Sequence, residues 1–421
     1  MLSHPFGVTW RKALVSLPRL VPDFVLQFTN PEGPQPVVFD LPSRGSHMIP
    51  VYVFIPPLHN SHHHRLQTQG AHLKDALQQH IRTPEHGDEH VKVPVLIDFH
   101  GGGFVLGSPQ EQAPFCAQMC RELNAVVISV DYRLGPYAQY PAANYDAEDV
   151  LRAVIEPKTQ AYKTLREGIR EQLEKDGRKP FDLDEARIAL SGFSSGGNLA
   201  LNLALSVKDD PTIHKDWPSP IPWDFQNDIP VLLFYPSLDC RLLPHERPRP
   251  EGLPPPSGIL ERWAIEKELM PTYLPVDCRG HPRASPGLAD LKPKRPGEQA
   301  GLHPKAKLWL LLPQYDTLHS QSIVWIQKVK DEGRMHDLTV EEVKGVVHGW
   351  TQFPDSWISE EERRLKAETF RKARCFVEAF WAPEVKGVAV DPGRKEGDAA
   401  SASMSKTDPA VRDKSEPVTT C

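Results

Sequence analysis

The stretch "ALSGFSSGGNLALNLAL", residues 189–205, decides how the chain is read. It opens inside the apolar run "RIALSG" (187–192), which reads as a buried strand. It continues into a helix that begins near Ser195 and carries Leu199, Leu203 and Leu205 among its apolar residues. Between them lies Gly192-Phe193-Ser194-Ser195-Gly196, a G-x-S-x-G. A strand that turns at once into a helix forces the middle residue into a strained conformation. The flanking positions must be Gly, because a Cβ there would strike neighbouring backbone. The outcome is an exposed Ser194 Oγ at a helix N-terminus, where the dipole favours developing negative charge. The pentapeptide alone is a weak signal, and the plain alternative is a glycine-rich turn with a surface serine. The strand before it and the helix after it give it weight.

A serine nucleophile is inert without a base, and the base needs an orienting acid. Asp316 in "KLWLLLPQYDTLHS" (307–320) stands just past the carboxyl end of a buried strand. His348 in "VEEVKGVVHGW" (340–350) stands at the same end of the next one. A helix over about 318–332 spans roughly 22 Å. A strand over about 340–347 spans roughly 25 Å. One travels down and the other returns, so His348 comes back to the sheet edge that carries Asp316. Ser194 ends a strand at that same edge, since parallel strands share an orientation. Asp239 in "FYPSLDC" also follows a buried strand and is the rival acid. His303 and His319 lie in loops or helix starts, which favours His348 as the base.

The run "LIDFHGGGFVLG" (96–107) supplies what acyl transfer still lacks. Three consecutive glycines are costly to order, so backbone there must either turn unusually or be approached closely. Attack on a carbonyl builds an oxyanion, and removing one donor to it typically costs about 3 kcal/mol. The N–H groups of Gly102, Gly103 and Ser195 are the candidate donors. His100 reads as a residue that pins the loop rather than one that moves protons. A phosphate loop is discounted because no GK[ST] follows.

Around these motifs run eight apolar segments: 37–41, 51–55, 95–99, 125–132, 187–192, 230–235, 307–312 and 339–347. Helical stretches fall near 110–122, 145–155, 160–176, 195–206, 318–332 and 360–381. The later strands are continuously apolar, as in a parallel sheet covered on both faces. Strand–helix alternation predicts one α/β domain with an eight-stranded, mostly parallel sheet. Three stretches interrupt it. Residues 59–90 carry eight His and read as a solvated insertion rather than a metal site. Residues 241–300 hold a Pro-rich loop and the helical piece "GILERWAIEKELM". Residues 386–421 have almost no large apolar side chains and read as a disordered tail.

A net charge of −6, with no basic block, argues against a nucleic-acid partner. Six Cys without CxxC or zinc spacing read as packing residues, with Cys116 and Cys120 on one helix face. Arg11, Lys12, Arg19 and three prolines break up the apolar N-terminal segment, so it reads as amphipathic rather than spanning, and the chain as cytoplasmic.

The motifs "HGGGF", "DYRLGPYAQYPAANYDAEDV", "GFSSGGN", "YPSLD", "SPGLA", "YDTLHSQS" and "HGW", in this order over roughly residues 93–355, make the chain resemble the hormone-sensitive-lipase branch of the α/β-hydrolases, with its bacterial esterases and arylacetamide deacetylases. The resemblance implies an α/β-hydrolase fold over 1–385 with a helical cap from about 1–45 and 241–285. It implies Ser194, Asp316 and His348 as a catalytic triad, with Gly102, Gly103 and Ser195 as the oxyanion hole. The implied activity is hydrolysis of a small-molecule carboxylic ester through an acyl-enzyme, with no cofactor and no metal. Phe193 departs from the acidic residue usual in the family, and Ser195 from the usual Ala; Phe193 is expected to change the local field and the pocket wall. Two other functions fit the same frame. One is a non-catalytic ligand receptor, which the presence of His348 disfavours. The other is an amide deacylase, thioesterase or acyltransferase using the same triad.

Overall fold

The computed structural model describes residues 8–9, 12–13, 16, 30–57, 91–210, 215–253 and 265–381. The strands are β1 (Val37–Pro42), β2 (Met48–Phe54), β3 (Lys92–Phe99), β4 (Val126–Val130), β5 (Asp182–Phe193), β6 (Leu205–Asp210), β7 (Lys215–Trp217), β8 (Ile229–Phe234), β9 (Gly301–Leu302), β10 (Ala306–Tyr315) and β11 (Leu338–Val347). The longer helices are α1 (Ala113–Leu123), α2 (Ala142–Ile155), α3 (Gln160–Lys175), α4 (Ser195–Leu203), α5 (His319–Asp331) and α6 (Glu360–Trp381). Eight strands form one sheet in the order β1-β2-β4-β3-β5-β8-β10-β11. Pairing is antiparallel for β1–β2 and β2–β4, and parallel from β4 to β11. Each of the eight apolar runs lies on one of these strands.

The period of two along a strand sorts the core into two layers. Val95, Ile97 and Phe99 face one side with Val126, Ile128, Val231 and Leu233, and are covered by α2, α3, α4 and α5. Leu96, Val127, Leu232 and Phe234 face the other, against α1 and α6. Cover on both faces is why these strands are continuously apolar. Cys116 and Cys120 are free, buried thiols of that second layer.

The helix expected over 195–206 stops at Leu203. The Ala204 N–H turns back to the Leu201 carbonyl, and Leu205 pairs with Leu302 at the start of β6. Val37–Pro42 form the edge strand β1, paired with β2. The His-rich segment 59–90, the tail 386–421 and most of residues 1–29 lie outside the described residues, as do residues 254–264. No helix among the described residues is long and apolar enough to cross a membrane.

One charge sits inside the second layer. Asp98 is fully buried and accepts from Ser191 Oγ (2.6 Å), Ser129 Oγ (3.2 Å) and Cys116 Sγ (3.5 Å), with no cation among the described residues bonded to it. Burial outweighs those bonds and raises its carboxyl from 3.8 to about 6. The folded state therefore holds this proton more tightly than the unfolded one. The penalty is absent below the unfolded value, grows as pH rises through the window from about 4 to 6, and is complete above it. A shift of about 2 pH units corresponds to roughly 3 kcal/mol. Asp98→Asn removes the charge, so the melting temperature of the variant minus that of the wild type should increase by several degrees between pH 4 and pH 7.5. A difference independent of pH would mean that Asp98 titrates normally.

Candidate active site

Strand register builds the site. Phe99 pairs with Gly192, Phe193 with Phe234, Phe234 with Leu311, and Tyr315 with Val347. The carboxyl ends of β3, β5, β8, β10 and β11 are thus drawn together along one edge. The next residue after each is His100, Ser194, Tyr235, Asp316 and His348. In parallel α/β sheets this edge is where ligands bind.

Ser194 has φ 54° and ψ −111°, left-handed backbone that a non-glycine residue adopts only when its surroundings impose it. The imposition is steric. A Cβ on Gly192 would lie 2.1 Å from the Gly196 carbonyl oxygen, and one on Gly196 would lie 2.0 Å from the Phe99 carbonyl oxygen. Only glycine at both positions lets β5 pass directly into α4. The Ser194 N–H is held by the Phe234 carbonyl at 2.9 Å, so the turn is tied to β8.

Ser194 Oγ lies 3.0 Å from His348 Nε2. His348 Nδ1 lies 2.7 Å from Asp316 Oδ2. Asp316 is buried, and its Oδ1 accepts from the Leu318 N–H at 2.7 Å. The three side chains named from the sequence are therefore in one hydrogen-bonded line. Asp239 is elsewhere: its carboxylate is bonded to Arg241 at 2.6 Å, and the Arg241 bonds hold it below the usual carboxylate range against the opposing effect of burial. His319 faces Glu342 at 3.8 Å and His303 is bonded to the Pro222 carbonyl, so neither occupies the position of His348.

The glycine run lies beside this line. Gly102 has φ 118°, and a Cβ on it would meet the Leu106 carbonyl oxygen at 2.0 Å. Its own carbonyl accepts from Val105 and Leu106 N–H, closing a tight turn. His100 is fully buried, with Nδ1 2.7 Å from the Gly101 carbonyl and its ring stacked on Tyr132 at 4.3 Å. The Tyr132 hydroxyl donates to the His100 carbonyl at 2.8 Å and lies 3.3 Å from Ser195 Oγ. That hydroxyl ties the loop holding Gly102 and Gly103 to the N-terminus of α4. Lys12 Nζ, from the N-terminal segment, donates to the Val105 carbonyl of the same loop at 2.6 Å.

Phe193 is not a wall of the pocket. It is fully buried, stacked on Phe234 at 4.2 Å and edge-on to Phe115 at 5.1 Å. Its side of β5 faces the second core layer, where aromatic rings pack around it. Tyr235 was not singled out by its sequence context. It has φ 39°, packs its ring edge against His348 at 4.8 Å, and bonds Thr351 Oγ1 at 2.5 Å. The available signal was its position directly after a buried strand, the position also held by Ser194, Asp316 and His348.

Above this edge opens a groove of about 1580 Å³ that takes in Gly102, Gly103, Ser194 and His348. Met270 roofs the glycine loop, and the Tyr273 ring stacks on Phe104 at 4.4 Å.

A family described as alpha/beta hydrolase fold matches residues 96–352. A probable carboxylesterase 8 of Arabidopsis thaliana is 39% identical over 132 residues, 31% of this chain and 37% of that protein. An ethyl acetate hydrolase of Pseudomonas putida is 26% identical over 268 residues, 63% of this chain and 68% of that one. The chain spans about a third of the length of the first curated relatives it matches. Among solved structures, the Pyrobaculum calidifontis esterase superposes with a TM-score of 0.54 at 21% identity, covering 87% of this chain and 93% of that one, a likeness of fold.

Proposed function

The chain belongs to the α/β-hydrolase family, in the hormone-sensitive-lipase-like branch its motifs resemble, and from that premise we propose that it hydrolyses small-molecule carboxylic esters through an acyl-enzyme. The observation that carries this reading is the continuous bonding from Ser194 Oγ through His348 to Asp316. His348 Nε2 takes the hydroxyl proton as Ser194 Oγ attacks the ester carbonyl. Asp316 keeps the other proton on Nδ1 and stabilises the imidazolium that forms. The carbonyl oxygen becomes an oxyanion, received by the N–H groups of Gly102, Gly103 and Ser195. The imidazolium then gives its proton to the leaving alcohol as the carbon–oxygen bond breaks. Water, deprotonated by His348, repeats the attack and releases the acid. Besides the ester and water, the groups this chemistry uses are side chains and backbone N–H groups of the chain.

The test combines turnover with active-site labelling. Purified protein is incubated with 4-nitrophenyl esters of C2 to C12 acids, and separately with a fluorophosphonate probe. Expected are 4-nitrophenol release from part of the series and one equivalent of label on the peptide containing Ser194. A folded protein that turns over none of the esters, and labels elsewhere or not at all, would overturn the reading.

A further inference from the structure

The groove over Ser194 is charged in the opposite sense to the chain that carries it. The chain has a net charge of −6. Among the described lining residues, Arg247, Arg249, Lys267, Arg279, Arg363 and Lys366 stand against only two carboxylates, Glu111 and Asp355. On one wall that charge is spent internally. Lys366 pairs with Asp355 at 2.9 Å, and Arg363 donates to the backbone carbonyls of Asp355 and Ile358.

The other wall is different. The side chains of Arg279 and Lys267 have no hydrogen bond or ion pair with any described residue. Arg279 is only half-exposed, so its charge is partly withdrawn from water without a protein anion in return. Its main chain is tied to the reacting centre. The Arg279 carbonyl accepts from Ser285 Oγ at 2.6 Å, and Ser285 Oγ accepts from the Cys240 N–H at 2.8 Å. Three residues back, the Ser237 N–H donates to the Ser194 carbonyl at 3.0 Å. Burial pushes the Cys240 thiol up, and Arg247 lies close enough to this wall for its charge to oppose that shift. Lys267 stands one turn before Met270, the residue over Gly103. Cations in a concave, low-dielectric groove focus a positive potential that a negatively charged protein otherwise lacks.

Resting on the ester-hydrolase reading of Ser194, we propose that the groove selects esters that themselves carry a carboxylate, with Arg279 and Lys267 as its partners. The guanidinium fork of Arg279 suits a carboxylate in two-point contact. The charged group takes no part in the bond changes. The ester carbon–oxygen bond breaks, Ser194 Oγ is acylated, and His348 returns the proton to the alcohol while the distant carboxylate only anchors the substrate.

Paired substrates that differ only in this charge test the proposal. The 4-nitrophenyl hemiesters of glutaric, suberic and sebacic acids are compared with 4-nitrophenyl valerate, octanoate and decanoate, so that a carboxylate replaces a terminal methyl in each pair. At low salt, kcat/KM should favour the hemiester at least tenfold at the best chain length. Raising NaCl to about 0.5 M should erode the preference, since screening lengths fall to a few ångströms. Arg279→Gln should lower the hemiester-to-neutral ratio at least fivefold, and Arg279→Gln with Lys267→Gln should lower it further. A neutral ester preferred at every length, or a ratio unchanged in the double variant, overturns the proposal and leaves ester hydrolysis standing. Absence of turnover in both series speaks against the ester-hydrolase reading instead. Titrating Ser194→Ala with monomethyl suberate and methyl octanoate then decides the anion question alone: tenfold tighter binding of the hemiester supports it, and equal binding overturns it.

Discussion

Ser194→Ala is expected to lower kcat on 4-nitrophenyl esters by on the order of 10⁶, with the folded structure intact. Removing the nucleophile of a triad costs about that much, and the remaining oxyanion donors leave on the order of 10³–10⁴ over water. Structure predicts that this loss is chemical. The hydroxyl makes its hydrogen bond to His348, while the strained turn is held by the glycines at 192 and 196 and by the Ser194 N–H to Phe234. Alanine meets the same left-handed backbone with the same Cβ, so the melting temperature should change by no more than a degree or two. Steady-state assay beside thermal unfolding separates the two. A variant that keeps a tenth of the wild-type rate would remove Ser194 from the chemistry.

Asp316→Asn should lower kcat by on the order of 10⁴, the cost of fixing the wrong histidine tautomer. The reason lies in two bonds. Asp316 Oδ1 accepts from the Leu318 N–H while Oδ2 accepts from His348 Nδ1. An asparagine has one oxygen. If it keeps the bond to Leu318, its NH₂ faces Nδ1, which must then be unprotonated. The proton moves to Nε2, and the imidazole points a donor at Ser194 where it needs a lone pair. Asp239→Asn should change kcat only a few-fold, since it disturbs a partly exposed pair with Arg241. Measuring both variants on one ester ranks the two acids. A larger loss at Asp239 would move the orienting acid to the end of β8.

The positions of Ser194, Asp316 and His348 were legible in the sequence because each follows an apolar run long enough to be a strand, and parallel strands end at one edge. The two-faced core was legible for the same reason, since only double cover makes "VLIDF" and "PVLLFY" continuously apolar. Less legible was whatever depended on side-chain direction. The residue type of Phe193 hinted at the pocket, but the pleat turns it into the core. Tyr235 carries no motif of its own, and its contact with His348 exists only because β8 lies between β5 and β10. The direction of β1 and β2 was also hidden, because alternation in a strand is the same whichever way the chain runs.

That direction has an evolutionary consequence. β2 runs against β4, with Phe54 opposite Val127, while β3 runs with β4. The segment between Pro57 and Val91 therefore leaves and re-enters at the end of the sheet remote from Ser194. The segment after β8 departs from the end that bears it. The two insertions, one His-rich and one Pro-rich, thus hang from opposite ends of the sheet and are expected to face unlike selection. Changes in length between β2 and β3 are attached at that remote end, so they are expected to accumulate as near-neutral drift, and that junction is the expected place for a fusion partner or an affinity tag. Residues after β8 line the groove over Ser194, so lineages sharing this frame should diverge in diet at one end and in ornament at the other.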